Sequence, residues 1–133
     1  YVLIHDGARP LISSALINAN IGCVQEKEAC ITAVPAKDTI KVADNKGCVA
    51  DTPDRSKLWQ IQTPQTFSYA LVSEAYRKRA EARDTTVTDD AMVVEKYADH
   101  SIYLLKGDYR NIKITTPEDL VIAEAFLNGG DNR

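Results

Sequence analysis

The residues best suited to chemistry stand together near the start of the chain, in His5-Asp6-Gly7-Ala8-Arg9-Pro10. They follow Tyr1-Val2-Leu3-Ile4, a continuous apolar run of the kind that forms a strand covered on both faces, central in a parallel sheet. In an open α/β sheet ligands bind beyond the carboxyl ends of the strands, which is where Asp6 falls. A carboxylate there can hold Mg²⁺, and that ion binds the phosphate oxygens of a nucleotide. Asp6 and Arg9 can equally form a structural ion pair within the turn, and spacing alone leaves both readings open.

Further along, Arg55 offers a planar fork suited to phosphate and Lys113 a compact point charge. By residue type alone each is a surface group. Thr88, followed by Asp89 and Asp90, reads as the N-cap of a helix running to about Tyr97, a position where a phosphate would also be favoured. His5 is adjacent to Asp6, but successive strand residues face opposite sides, so it is expected to pack rather than to join the site. Asp108 is a weak second candidate for a metal contact.

The elements that must position these groups alternate in type, which argues for an α/β layer architecture. Ser13 or Ser14 caps a first helix with Ile17, Ile21 and Val24 on one face, ending near Lys27. Ala29 to Val34 is a second core strand stopped by Pro35, completing a right-handed β-α-β unit. Thr39-Ile40-Lys41-Val42, the turn Asp44-Asn45-Lys46-Gly47 and Cys48-Val49-Ala50 form a hairpin, too small to be stable alone and so expected to project and pack on another surface. Thr63-Pro64-Gln65-Thr66 reads as a loop before a helix capped by Ser68, whose Arg77, Lys78 and Arg79 form a solvated face. Ser101 to Leu105 and Asn111 to Thr115 read as strands. The last helix starts at a capping box, Thr116-Pro117-Glu118-Asp119, carries an inner stripe of Leu120, Ala123 and Leu127, and stops at Asn128-Gly129-Gly130 before a frayed tail.

Composition narrows the classes. The chain of 133 residues, 44% of them hydrophobic, suits one domain spanning 1–133. A formal charge of −3 carries no electrostatic footprint for nucleic acid. No apolar run approaches membrane-spanning length, and no basic leader precedes an apolar segment, so a soluble cytoplasmic protein with no membrane partner is expected. Cys23, Cys30 and Cys48 show no C-x-x-C pair and read as inert, partly buried thiols.

Five segments in order carry a resemblance: VLIHDGARP, KDTIK, PDRSKLWQIQTPQTF, VTDDA and NIKITTPEDL. Together they resemble the C-terminal part of the methylerythritol phosphate cytidylyltransferases, across almost the whole chain. Gly7 stands where that family often has alanine. The resemblance implies a mixed, mainly parallel sheet of nucleotidyltransferase, Rossmann-like type, with residues 37–58 as a projecting β-hairpin arm swapped against a second subunit of a homodimer. It also implies that Asp6 contacts Mg²⁺ and the nucleotide and that Arg9 orders the surrounding loop. Thr39 and Arg55 would reach the partner's substrate from the arm, while Thr88 and Lys113 bind the polyol phosphate from the body. Arg55 and Lys113 are the implied catalytic groups.

The implied reaction is transfer of a cytidylyl group from CTP to methylerythritol phosphate, releasing pyrophosphate, in non-mevalonate isoprenoid synthesis. The family wraps the triphosphate with an N-terminal glycine-rich loop, and the only Gly-Gly pair here is Gly129-Gly130. This chain is therefore expected to be a partial domain, inactive by itself. Transfer to ribitol phosphate is the neighbouring alternative, disfavoured by Trp59. A non-catalytic dimerisation module is the alternative of a different class, and retention of Asp6, Arg55, Thr88 and Lys113 argues against it.

Overall fold

The computed structural model describes residues 1–129. In chain order it contains β1 (Val2–Ile4), α1 (Ser14–Lys27), β2 (Ala29–Pro35), β3 (Val42–Ala43), β4 (Val49–Asp51), a single 3₁₀ turn (Arg55–Lys57), β5 (Trp59–Phe67), α2 (Tyr69–Ala82), α3 (Asp90–Tyr97), β6 (Tyr103–Lys106) and α4 (Pro117–Asn128). The main sheet has the order β1-β5-β2-β6, and β3 and β4 form a separate ribbon. β1, β2 and β6 run in one direction, while β5 runs against both of its neighbours. The sheet is thus mixed, as expected, with three of its four strands aligned.

The sheet is covered on both faces. Asn20 of α1 donates to Thr32 on β2 and accepts from Thr66 on β5, so α1 lies on one face. On the other, Ile31 and Phe67 pack with Val72 and Ala75 of α2 and Ala91, Val93 and Val94 of α3. Six of the seven β2 residues are buried, which explains a continuous run of small and β-branched residues in place of alternation. The fully buried Phe67 ring contributes roughly 2–3 kcal/mol by leaving water.

Helix ends follow local chemistry. Ser13 and Ser68 accept the amides of Leu16 and Leu71. The left-handed residues Glu28 and Arg83 close the two helices. At α4 the capping box is complete: Thr116 accepts the Asp119 amide, and Asp119 Oδ2 accepts the Thr116 amide. The basic residues of α2 meet nearby acceptors, Arg77 pairing with Glu74 and Glu81 and Arg79 Nε donating to the Asp84 carbonyl.

Several expectations are corrected. β1 is an edge of the described sheet, because β5 takes the position between it and β2. Thr63-Pro64-Gln65-Thr66 belongs to β5, the longest strand. A register shift leaves Gln62, Thr63 and Pro64 opposite Thr32 alone, so proline sits where the regular ladder is interrupted. Asn111 to Thr115 forms no strand; in place of a ladder, the Ile114 amide bonds the Ala8 carbonyl and the side chains of Asn111 and Lys113 bond the body. α1 buries Leu16, Asn20 and Val24, displacing the inner face by one residue from Ile17 and Ile21, because the Asn20 polar network lies on the sheet side.

Of the α4 stripe only Ala123 is buried, with Leu120 58% and Leu127 69% exposed. The expected tail beyond Gly129 lies outside the described residues. All three cysteines are free; Cys30 is buried, which pushes its thiol up to about 12, and Cys48 is exposed on the ribbon. No helix among the described residues is long and apolar enough to cross a membrane.

Gly107 shows how tightly β6 joins its following loop. Its amide donates to the Ala33 carbonyl at 2.8 Å. A Cβ there would lie 2.5 Å from Gln62 Oε1 and 2.7 Å from Thr32 Cγ2. Gly107→Ala is expected to destabilise the chain by about 1–3 kcal/mol through overpacking. The check is a lower urea midpoint with unchanged slope; an unchanged midpoint would mean that the loop moves freely.

Candidate active site

The carboxyl ends of β1, β2 and β6 share one edge of the sheet, and the segments leaving β1 and β6, with β5 and the start of α3, build the site. A cleft of about 340 Å³ opens there, lined among others by His5, Asp6, Arg9, Thr63, Thr88 and Lys113. It gathers four of the six groups expected to act: Asp6, Arg9, Thr88 and Lys113. Thr39 and Arg55 are not in it. Both are exposed on the arm, where Arg55 Nη1 donates to the Lys37 carbonyl at 2.9 Å.

Asp6 and Lys113 meet directly, Nζ to Oδ2 at 2.8 Å, with side chains 27% and 49% exposed. The Lys113 hydrogen bond lowers the Asp6 carboxyl below its ordinary value of 3.8, with the Ala8 amide and the Arg9 charge acting in the same direction. Arg9 Nη1 donates to the Asn111 carbonyl at 2.7 Å, tying the loop after β1 to the segment carrying Lys113. Burial lowers the Arg9 guanidinium, and Asp6 opposes that shift. At Gly7 a Cβ would meet nothing within 4 Å, so an alanine would fit the same turn.

His5 is not packed inward as expected. It is exposed, with Nδ1 2.9 Å from Thr63 Oγ1 and Nε2 3.1 Å from the Arg9 carbonyl. The carbonyl can only accept, so in the neutral ring Nε2 carries the hydrogen and Nδ1 accepts from the Thr63 hydroxyl. Thr63 Oγ1 in turn accepts the Asp6 amide at 3.0 Å. Three bonds thus pin the two ends of the Asp6 turn. Thr63 was missed from the sequence because its segment read as a loop; its place within the TPQ motif was the available signal.

Thr88 is not the cap of α3. Asp89 is, accepting the Met92 amide at 2.8 Å. Thr88 Oγ1 is instead 3.6 Å from Met92 Sδ, a weak contact that leaves most of its hydrogen-bonding capacity for a ligand. The acids that follow are both engaged, Asp89 by Gln65 and Asp90 by the Tyr76 hydroxyl. Asp108 accepts the Arg110 amide and lines a different cavity, between the loop before α1 and the end of α4, so it does not join Asp6.

For a metal, this site presents the carboxylate of Asp6, since the other two that line the cleft are engaged, Asp89 by Gln65 and the Met92 amide and Asp90 by the Tyr76 hydroxyl. Among the described residues no three His, Cys, Asp or Glu side chains cluster as metal ligands. That donor set fits an ion such as Mg²⁺, which uses one or two carboxylates together with water and substrate phosphate. It does not fit a cage built of protein ligands alone.

Comparison with known proteins places the chain. The family model described as IspD, 2-C-methyl-D-erythritol 4-phosphate cytidylyltransferase, matches residues 1–129. The cytidylyltransferase of that name from Lachnoclostridium phytofermentans is 53% identical over 127 residues, covering 96% of this chain and 54% of the relative. That of Lachnospira eligens is 55% identical over 130 residues, covering 97% and 57%. The solved 4-diphosphocytidyl-2C-methyl-D-erythritol synthase of Anaerococcus prevotii superimposes with a TM-score of 0.87 at 41% identity, over 96% of this chain and 58% of its own. The Thermus thermophilus 2-C-methyl-D-erythritol 4-phosphate cytidylyltransferase gives 0.84 at 31% identity, over 96% and 61%. The chain spans about half the length of the curated relatives it matches. A model match over nearly every residue, joined to relatives more than half identical, means that the chain belongs to the 2-C-methyl-D-erythritol 4-phosphate cytidylyltransferase family.

Proposed function

We propose that this chain is the C-terminal portion of an enzyme that transfers a cytidylyl group from CTP to methylerythritol phosphate. The observation that carries the reading is the convergence of Asp6, Arg9, Thr88 and Lys113 on one cleft at the carboxyl edge of the sheet. These groups come from three separate segments, and their joint chemistry, two cations, a carboxylate and a hydroxyl, suits phosphorylated substrates.

In the reaction a phosphate oxygen of methylerythritol phosphate forms a bond to the α-phosphorus of CTP. The bond from that phosphorus to the β-phosphate bridge breaks, and pyrophosphate leaves with the electron pair. No general base is needed, since the second phosphate pKa is about 6 and the nucleophile is already largely ionised at neutral pH. Lys113 and Arg55 would neutralise charge on the reacting phosphates, Arg9 would hold the loop, and Thr88 would bind the polyol phosphate. Asp6 would hold Mg²⁺, which when bound supplies charge neutralisation for the triphosphate.

Arg55 and Thr39 enter through the arm, over residues 37–58. The ribbon exposes Ile40, Val42 and Val49, and a ribbon this small needs a surface to pack on. A second copy of the chain, in a homodimer, supplies that surface and brings Arg55 and Thr39 to the neighbour's cleft. The relatives and solved structures above are named for methylerythritol compounds, which favours that substrate over ribitol phosphate. The reading carries a cytoplasmic enzyme without nucleic-acid or membrane partners.

Three measurements test this reading. In the complete enzyme, Arg55→Ala and Lys113→Ala should each lower kcat by about 10²–10³; an unchanged Arg55→Ala rate would favour a non-catalytic dimerisation module. Mixing the two inactive variants should restore activity, because a mixed dimer assembles one cleft with Lys113 and a partner Arg55 intact. No restoration would refute the exchanged arm. The isolated 133-residue chain should release no pyrophosphate from CTP, and turnover by it would refute the partial-site reading.

The Asp6–Lys113 pair gives a pH signature. A carboxyl lowered in the folded state stabilises that state above its unfolded pKa, and the contribution disappears as pH falls through the lowered folded value. Carboxyl ¹³C NMR should show Asp6 titrating below 3.8, rising in Lys113→Met. Titration at or above the ordinary value in the unsubstituted chain would show that the pair is absent in solution.

A further inference from the structure

Gln65 lies on the inner strand β5, opposite both Ile4 of β1 and Ile31 of β2, and the residue is 2% exposed. Nothing apolar explains a glutamine there, but both ends of its amide are used. Nε2 donates to Asp89 Oδ2 at 2.9 Å, and Oε1 accepts the Ala91 amide at 2.8 Å. Asp89 Oδ1 accepts the Met92 amide, so each oxygen of that carboxylate has its own donor. The arrangement requires one side chain that donates to a carboxylate and accepts from an amide, a demand met by a primary amide of this length.

The contact has a consequence one residue upstream. Thr88 and Asp89 are both competent caps for α3, and whichever takes the cap spends its oxygen on backbone amides. By holding Asp89 against β5, Gln65 selects Asp89 and leaves the Thr88 hydroxyl toward the cleft, with only the Met92 sulfur beside it. We infer that Gln65 is a positioning residue for the phosphorylated polyol: it fixes the cap register of α3 and so presents Thr88 to substrate. This inference rests on the reading of Thr88 as a substrate ligand.

A charge exchange tests it in the complete enzyme. Gln65→Glu places a carboxylate against Asp89 while still accepting the Ala91 amide. Adding Asp89→Asn restores a donor facing that carboxylate and keeps an oxygen for the Met92 amide, since asparagine caps as well as aspartate. We expect Gln65→Glu to raise KM for methylerythritol phosphate about tenfold with KM for CTP unchanged, and the double variant to return it to within about threefold. Thr88→Val serves as reference, with the same selective rise in KM.

A Gln65→Glu enzyme with unchanged KM, with both KM values raised alike, or with no recovery in the double variant overturns the inference. If Gln65→Glu does not fold, Asp89→Asn alone should raise the polyol KM and the double variant should lower it again; failure of that reversal overturns it equally. If Thr88→Val leaves the polyol KM unchanged, the substrate role of Thr88 falls and the inference with it. A selective Thr88→Val effect without reversal by the exchange removes only the role of Gln65.

Discussion

The cleft depends on one constraint: polar side chains in the buried middle of β5 must find partners, and the partners are the segments that carry the chemistry. Gln62 donates to the Asp108 carbonyl and accepts from Asn111. The Thr63 hydroxyl takes the Asp6 amide and bonds His5, while the Thr63 carbonyl takes Asn111 Nδ2 at 2.8 Å. Gln65 clamps the start of α3. A buried group left unpaired costs about 1–3 kcal/mol, so each bond holds its segment against the strand more firmly than its own net stabilisation suggests. Three residues of one strand thereby set the relative places of Asp6, Lys113 and Thr88.

Such a strand can exist because the ladder yields where they occur. The register shift opposite Thr32 frees Gln62, Thr63 and Pro64 from regular pairing, and regular pairing resumes at Gln65. On the α1 face the same logic recurs in a structural role. Asn20 bonds the Leu16 carbonyl, Thr32 and Thr66, and the Cys30 thiol donates to the Asn20 carbonyl. Those bonds join α1 to β2 and β5 inside the core. The α2–α3 face is mainly apolar, with side-chain hydrogen bonds at the start of α3, where Gln65 holds Asp89 and the Ala91 amide and Tyr76 meets Asp90. One face thus specifies register, and the other supplies most of the hydrophobic burial.

Electrostatics in the cleft is local. Asp6 faces Lys113 at 2.8 Å with Arg9 near enough to lower its carboxyl, so two cations surround one anion in a chain whose formal total is −3. Asp89 and Asp90 also line the cleft, so its positive charge is concentrated at the Asp6 turn and does not outweigh the acids of the whole lining. The arm adds its charges elsewhere, with Lys37 stacked 3.6 Å from the Tyr109 ring centre and Arg55 held by the Lys37 carbonyl. The arm base is closed by the Ala36 amide on the Leu58 carbonyl at 3.0 Å.

Much of this was legible in the residues. Helix starts at Ser13, Ser68 and Thr116 follow from short-range capping chemistry, which needs no tertiary context. The buried run of β2 and the ribbon turn at Asp44–Gly47 were likewise readable, because each is a local pattern, whereas Arg9, Thr88 and Lys113 were singled out through the family resemblance. What only the tertiary structure decided is which neighbour each pattern meets. Proline made β5 read as a loop, since its place opposite a register shift depends on a partner strand distant in sequence. Thr88 reads as the cap of α3, yet Asp89 takes that place in the fold, held by Gln65 more than twenty residues away in the chain. Leu120, Ala123 and Leu127 share a helical period, but period says nothing about what covers them, and only Ala123 is covered here. Local sequence determines conformational preference and chemical type; partner identity is a property of the folded chain, because it is settled by which polar groups and surfaces are brought together away from water.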